Sequence, residues 1–358
     1  MKKETVLILF GGVSNEYEVS LRSAASVIEN LDRERFDPLL VGVTRDGRWL
    51  LCRGCDPQAV EEDRWQQNAV PAVLSPDRSA GGLLVLGEEG CLHIPVDVVF
   101  PVMHGQNCED GALQGLLTLA NLPFVGCGVT SSALTFDKVY THIVAERIGV
   151  PMARWELVCA EEDLQAACQR VGSAIGFPCF VKPVNSGSSV GCSRADDPAG
   201  LLAALAVAFR EDRRVLVEEL VVAQEVECAV CGNLDPQAPT TGEIVTADGF
   251  YDYDTKYKTD TARLYIPANI PPESDRRVRE LAVRIFRALE CRGLSRVDFF
   301  VRKDGSVLFN EINTLPGFTS ISMYPKMMVA SGLSYCALIT RLIELAREEH
   351  EAKKERNR

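Results

Sequence analysis

Two alternating apolar runs meet at Asp304-Gly305 in the stretch SRVDFFVRKDGSVLFNEINTLPG, residues 295–317. That dipeptide between such runs is a strong signal for an antiparallel hairpin closed by a two-residue type I′ turn. Pairing Lys303 with Ser306 sets Asp298 opposite Glu311 and Arg296 opposite Asn313. Alternation by two then puts all four on one face, with Val297 and Phe299 on the other. Two facing carboxylates repel, so the pair makes sense with a cation between them. Asp, Glu and Asn all offer oxygen, which favours magnesium with phosphate oxygens completing its shell. Arg296 beside them can hold an anion or a developing oxyanion. The plainer reading is a solvated polar face on an edge hairpin. Against it stands the continuation NTLPG, a turn that would present backbone N–H groups near the same place.

A second stretch, VKPVNSGSSVG at residues 181–191, has the glycines and serines of a phosphate loop in the wrong order. In the P-loop a lysine and a hydroxyl residue follow the last glycine; here Lys182 precedes Gly187, and no Gly-Lys-Ser/Thr occurs in the chain. Either this is a flexible turn, or it belongs to a different way of holding ATP.

The opening residues read strand, glycine turn, helix, strand: TVLILF, GG, then Val19, Val27, Ile28 and Leu31 at helical spacing, then PLLVGV. This is a βαβ unit of a parallel sheet, whose ligands sit outside the carboxyl ends of the strands, near Gly11 through Ser20. VDVVFPVMHG gives another buried strand, its end beside that of the first. Residues 45–90 are less regular, with a small hairpin at TRDGRW and a short helix or loop at DPQAVEEDRWQQ. A single helix with a capping serine is expected through SSALTFDKVYTHIVAERIG. Residues 250–263 mix aromatic and charged side chains without a sustained period, which suits a lid. An amphipathic helix follows with Val278, Leu281, Ala282, Ile285 and Leu289. The expected division is an N-terminal α/β domain over 1–127, a central subdomain over 128–217, a C-terminal subdomain over 218–350 and a charged tail over 351–358.

A chain of 358 residues exceeds one ordinary core. Its formal net charge of -12 argues against nucleic acid. No apolar run approaches the ~18 residues that span a bilayer, and MKKETVLILFGG lacks a signal-peptide cleavage site, so no membrane partner and a cytoplasmic location are expected. Thirteen cysteines include two CxxC pairs, Cys52/Cys55 and Cys228/Cys231. The second pair lies on an extended segment where positions three apart face opposite ways. Buried free thiols are therefore expected rather than a structural zinc.

Taken in order, GGVSNEYEVSLRSA, HGQNCEDGALQG, FVKPVNSGSSVG, YDYDTKY, RVDFF and NEINTLPGFTSISMYP resemble the D-alanine–D-alanine ligase family of the ATP-grasp fold. The match covers almost the whole chain. It implies a Rossmann-like N-terminal domain followed by two α+β subdomains that clamp ATP. By this resemblance Lys138, Lys182 and Ser189 meet the phosphates, Glu218, Glu219 and Val221 the adenine, and Glu225 the ribose. Asp298, Glu311 and Asn313 hold two magnesium or manganese ions. Glu16 fixes the ammonium of a first D-alanine, with Ser188 and Tyr257 in a hydrogen-bond chain, and Val19, Ser20, His104, Ser322 and Met323 complete the amino-acid sites. Lys256 comes to the γ-phosphate as the lid closes, and Arg296 with the N–H of Gly317 stabilises the oxyanion. The resemblance further implies two D-alanine molecules and ATP as partners, a homodimer, and potassium as a further activator. Taken alone, Glu16 reads as a helix N-terminal acid, Lys138 as a solvated lysine, His104 as a loop histidine and Tyr257 as a packed aromatic. Alternatives are a D-alanine–D-serine or D-alanine–D-lactate ligase, another ATP-grasp carboxylate–amine ligase, or a silent ATP-binding protein. One departure is Cys108, where the family usually has glycine; a left-handed backbone there would cost ~1–2 kcal/mol.

Overall fold

The computed structural model describes residues 2–88, 90–245 and 263–356. The first sheet contains β1 (Glu4–Gly11), β2 (Phe36–Val43), β3 (Trp49–Leu51), β4 (Val70–Leu74), β5 (Gly82–Gly87), β6 (Gly90–Pro95) and β7 (Val98–Val102), with helices α1 (Tyr17–Glu29) and α2 (Pro57–Glu61) between its strands. Its order is β6-β5-β4-β3-β2-β1-β7. β1 runs parallel to both β2 and β7, so the strand order turns at β1 and a crevice opens at its carboxyl end. Gly11 closes that end at φ 82°, and a Cβ there would stand 2.2 Å from the Val43 carbonyl oxygen. The irregular stretch 45–90 proves to be mostly sheet: β3 to β6 form an antiparallel meander that widens the parallel core.

Next come α3 (Ala112–Leu119), α4 (Val129–Phe136) and α5 (Lys138–Arg147). The single helix expected through Thr135–Tyr140 is broken at Asp137, whose backbone is extended and whose side chain caps α5 by accepting the Tyr140 N–H. Such a cap stabilises a helix start by ~1 kcal/mol, and here it places Lys138 at the first helical position. A four-stranded sheet follows, in the order β10-β9-β11-β8, made of β8 (Trp155–Cys159), β9 (Cys179–Pro183), β10 (Ser193–Ala195) and β11 (Arg214–Glu219), with α6 (Leu164–Ala174) and α7 (Pro198–Ala208) packed on it. The expected boundary at residue 217 falls inside β11.

The third sheet, ordered β14-β13-β12-β15-β16, comprises β12 (Gln224–Gly232), β13 (Thr241–Val245), β14 (Arg263–Tyr265), β15 (Gly293–Val301) and β16 (Val307–Asn313). The amphipathic helix α8 (Pro272–Ala288) buries Val278, Leu281, Ala282 and Ile285 against it, with Leu289 just beyond its end. Helices α9 (Met323–Ala330) and α10 (Tyr335–Arg356) return the chain to the first sheet, where Leu338, Ile339 and Leu342 join Val6, Ile8 and Phe10 in one core. α10 continues into the segment read as a charged tail. Among the described residues no single helix is long and apolar enough to cross a membrane. Cys228 packs in the core under α8 while Cys231 packs against the core of the first sheet, so this CxxC pair points two ways.

The β15–β16 hairpin reaches the expected pairing by an unexpected route. Its turn is a three-residue loop, with Arg302 N–H donating to the Ser306 carbonyl at 2.9 Å and Gly305 at φ 84°. Alone, that shifts the register by one residue and would turn Glu311 away from Asp298. A β-bulge at Asn310 restores it: Phe299 pairs with Phe309, then Asp298 with Glu311 and Arg296 with Asn313. The extra residue puts Asn310 and Glu311 on the same side, while Phe309 and Ile312 stay in the core.

Candidate active site

All three sheets present their ends or faces to one cavity of about 310 Å³. From the first come Glu16 and Val19 at the start of α1 and His104 just after β7. Glu16 holds the N-cap position, and its carboxylate accepts a short hydrogen bond from Ser188 Oγ, which crosses from the glycine-serine loop. Ser188 and Ser189 both take left-handed backbone, at φ 50° and 59°. Non-glycine residues pay for that conformation, and it concentrates at functional sites. His104 is buried, with Nδ1 3.0 Å from the Leu315 carbonyl oxygen and Nε2 3.3 Å from Ser23 Oγ. Burial depresses its basicity against the pull of Glu16. Ser20 departs from expectation: its hydroxyl accepts the Gly11 N–H at 2.8 Å and donates to the Val102 carbonyl. It ties β1 to β7 beneath the site and does not line the cavity.

Lys182 and Glu218 stand on adjacent strands, β9 and β11, and are both buried. Lys182 Nζ lies 2.5 Å from Glu218 Oε2 and donates to Asn310 Oδ1 at 2.9 Å. Burial opposes ionisation of Glu218, but the ammonium of Lys182 and the ring of His142 outweigh it and hold the carboxyl at about 2. Burial likewise opposes the charge on Lys182, and Glu218 and Glu311 overcome it, so its basicity is raised. Lys138 Nζ donates to the Ser186 carbonyl at 2.6 Å, a tie to the same loop. Ser189, Glu219, Val221 and Glu225 also line the cavity, with Glu219 held by Arg154 at 2.7 Å and Arg302 at 3.2 Å.

The third sheet supplies Arg296, Asp298, Glu311 and Asn313, the loop after it supplies Gly317 and Ser322, and the start of α9 supplies Met323. Arg296 forks onto Asp298 through Nε at 2.8 Å and Nη2 at 2.7 Å, and Glu227 Oε2 is 3.2 Å from Nε. Asn313 Nδ2 donates to Asp298 Oδ2 at 3.1 Å. Among the described lining residues, seven carboxylates besides Glu109 meet three fixed cations, Lys138, Lys182 and Arg296. A polyphosphate enters such a site only with added positive charge. The oxygen donors on β15 and β16 therefore fit a hard divalent cation. Among the described residues no group of three or more His, Cys, Asp or Glu is placed to hold a metal ion by itself. Tyr257 and Lys256 lie outside the described residues.

Four lining or supporting residues escaped the sequence reading, among them Glu227, the second carboxylate on Arg296. Glu109, in the loop after β7, accepts the Gly105 N–H at 2.7 Å. Burial, then the charge of Glu16, pushes its carboxyl up to about 8. Asn310 is the bulge residue, and His142 backs Glu218 from α5. Besides its glycines, the left-handed residue in HGQNCEDG is Asn107, not Cys108, which is buried in the core of the first sheet. Cysteine therefore fits there without backbone strain.

Comparison with known proteins agrees along the whole chain. Models of the D-ala D-ala ligase N-terminus and C-terminus match residues 5–127 and 144–344. The D-alanine–D-alanine ligase of Ruminiclostridium cellulolyticum is 46% identical over 98% of this chain and 97% of its own. D-alanine–D-alanine ligase A of Chromobacterium violaceum is 45% identical over 98% and 96%. Among solved structures, the VanG D-Ala:D-Ser ligase of Enterococcus faecalis superposes with a TM-score of 0.87 at 39% identity, covering 96% of this chain and 100% of its own. The D-alanine–D-alanine ligase of Coxiella burnetii gives 0.86 at 34%, covering 99% and 98%. The architecture is that of the ATP-grasp enzymes, and the chain is an ADP-forming ligase. It belongs to the D-alanine–D-alanine ligase family.

Proposed function

We propose that the cavity joins two D-alanine molecules at the expense of ATP, within the reading of residues 1–127, 128–217 and 218–350 as three working units. The observation that carries this is the convergence of Glu16 with Ser188, Lys182 with Glu218, and Arg296 with Asp298 on one cavity from three separate sheets. A carboxylate is a poor electrophile. Transfer of the γ-phosphoryl group to the first D-alanine gives an acyl phosphate and ADP; attack by the amine of the second D-alanine then expels phosphate and forms the dipeptide, a peptidoglycan precursor.

Each side chain has a part in this. Glu16 binds the first ammonium and is oriented by Ser188, with Val19 and His104 beside it. Lys138, Lys182 and Ser189 neutralise and position the phosphates, and phosphoryl transfer depends mainly on such positioning. Glu218, Glu219 and Val221 hold the base and Glu225 the ribose. Asp298, Glu311 and Asn313 would hold magnesium or manganese, which supplies charge neutralisation for the phosphates. Arg296 and the Gly317 N–H face the tetrahedral oxyanion, and Ser322 and Met323 border the second amino acid. Tyr257 and Lys256 are assigned to the lid that excludes water. The active form is a cytoplasmic homodimer, with potassium as a further activator.

Met323 is an apolar neighbour for a methyl group, which favours D-alanine at the second position. The test is ADP release with D-alanine alone and with D-serine or D-lactate offered against it. Release with D-alanine alone, with dipeptide formed in equal amount, is expected; no release would defeat the proposal.

A further inference from the structure

His142 lies one turn after Lys138 on α5 and is 1% exposed. Its Nδ1 faces the Lys138 carbonyl oxygen at 2.7 Å and its Nε2 faces Glu218 Oε1 at 2.8 Å. A carbonyl oxygen has no proton to give, so Nδ1 donates. Glu218 is ionised, because Lys182 Nζ stands 2.5 Å from its other oxygen, so Nε2 donates as well. A neutral imidazole has one N–H, and an imidazolium has two. The ring is walled by Trp155 at 5.8 Å and Phe309 at 6.0 Å between centroids. Its charge is therefore met by Glu218, with Lys182 on the far side of that carboxylate.

We propose that His142, as a buried imidazolium, is a positioning and specificity residue for the nucleotide. It fixes Glu218 in rotation and keeps it an acceptor-only group, so that the site selects a purine carrying an amino group at C6 over one carrying an oxo group. The need for a second cation follows from the shared partner. When Lys182 turns to a phosphate, His142 remains to balance Glu218, and the base contact outlasts the rearrangement. The inference rests on the reading of Glu218 as the adenine contact.

Steady-state kinetics with ATP and ITP on the whole enzyme separate the possibilities. His142→Leu is expected to raise KM for ATP about tenfold, as for loss of a charged hydrogen bond, and to narrow the ATP-over-ITP ratio of kcat/KM by about as much, with kcat changed less than about threefold. His142→Gln, which keeps one donor toward Glu218, should fall between. In the parent enzyme at neutral pH, both ring nitrogens of His142 should carry protons by 15N NMR, assigned by their loss in His142→Gln. An unchanged ATP-over-ITP ratio in folded His142→Leu, or a single protonated ring nitrogen, overturns the proposal. If His142→Leu does not fold, the NMR result decides. Glu218→Gln locates the failure: if it too leaves the ratio unchanged, the adenine reading of Glu218 has failed and the proposal with it. If it collapses the ratio while His142→Leu does not, only the role of His142 falls.

Discussion

Replacing Arg296 by alanine should produce two separable losses. Arg296 is partly buried, forks onto Asp298 at 2.8 and 2.7 Å, and has Glu227 3.2 Å from Nε. Its removal leaves two largely buried carboxylates without their shared cation, and breaking a buried pair from one side costs about 3–5 kcal/mol of stability. Loss of an oxyanion donor adds about 2.7–4 kcal/mol to the barrier, or roughly 10²–10³ in kcat. Urea denaturation reads the first loss, and ADP release at saturating substrates reads the second. Arg296→Lys retains the charge without the planar fork, so it should recover most of the stability and little of the kcat. Added magnesium should raise the urea midpoint of Arg296→Ala more than that of the parent, since a cation beside Asp298 takes over part of the guanidinium's work. A folded Arg296→Ala enzyme with kcat within about threefold of the parent would refute the oxyanion assignment, the expected donor loss being far larger. Full recovery of kcat by lysine would show that charge alone suffices.

Glu109 holds its proton in the folded state up to about pH 8, against 4.5 for an ordinary glutamate. Its contribution to stability is complete below that ordinary value and is lost as the pH rises toward about 8. Glu109→Gln should flatten the decline in denaturation midpoint across this window, and parallel pH profiles would refute it. Ser188→Ala removes the bond that the glycine-serine loop makes to Glu16. KM for D-alanine should rise about tenfold or more, the cost of a hydrogen bond to a charged group, with KM for ATP unchanged; an equal rise in both would place Ser188 at the nucleotide instead.

What the sequence disclosed depended on how local the cause was. Alternation in β15 and β16 was enough to bring Asp298 to Glu311 and Arg296 to Asn313. The route was not legible, because the longer turn and the bulge at Asn310 cancel, and alternation reads only their net effect. The break at Asp137 was missed because an aspartate followed by lysine also suits a helix interior; its role as cap shows only in the extended backbone. β4 was obscured by Pro71 within it and Pro76 just after it, and β5 and β6 by short runs between glycines. Glu109 and His142 carry no local signal of burial. Glu218 is distant from His142 in sequence and meets it only because α5 lies against the second sheet, although the spacing of four from Lys138 does place both on one helix face.

The bulge at Asn310 also has a mechanical reading. Beside it, the Phe309 N–H donates to the Pro151 carbonyl at 2.8 Å, and Phe309 bridges Met152 at the entry to the second sheet. Asn310 itself accepts from Lys182. The line along which the two halves of the clamp are stitched thus passes through the residues that bring Lys182 and Glu311 together. Any rotation of one half about that line sweeps the tip of the glycine-serine loop through a wide arc but leaves points near the axis almost still. An opening of that kind would leave Lys182 and Glu311 at nearly their present spacing.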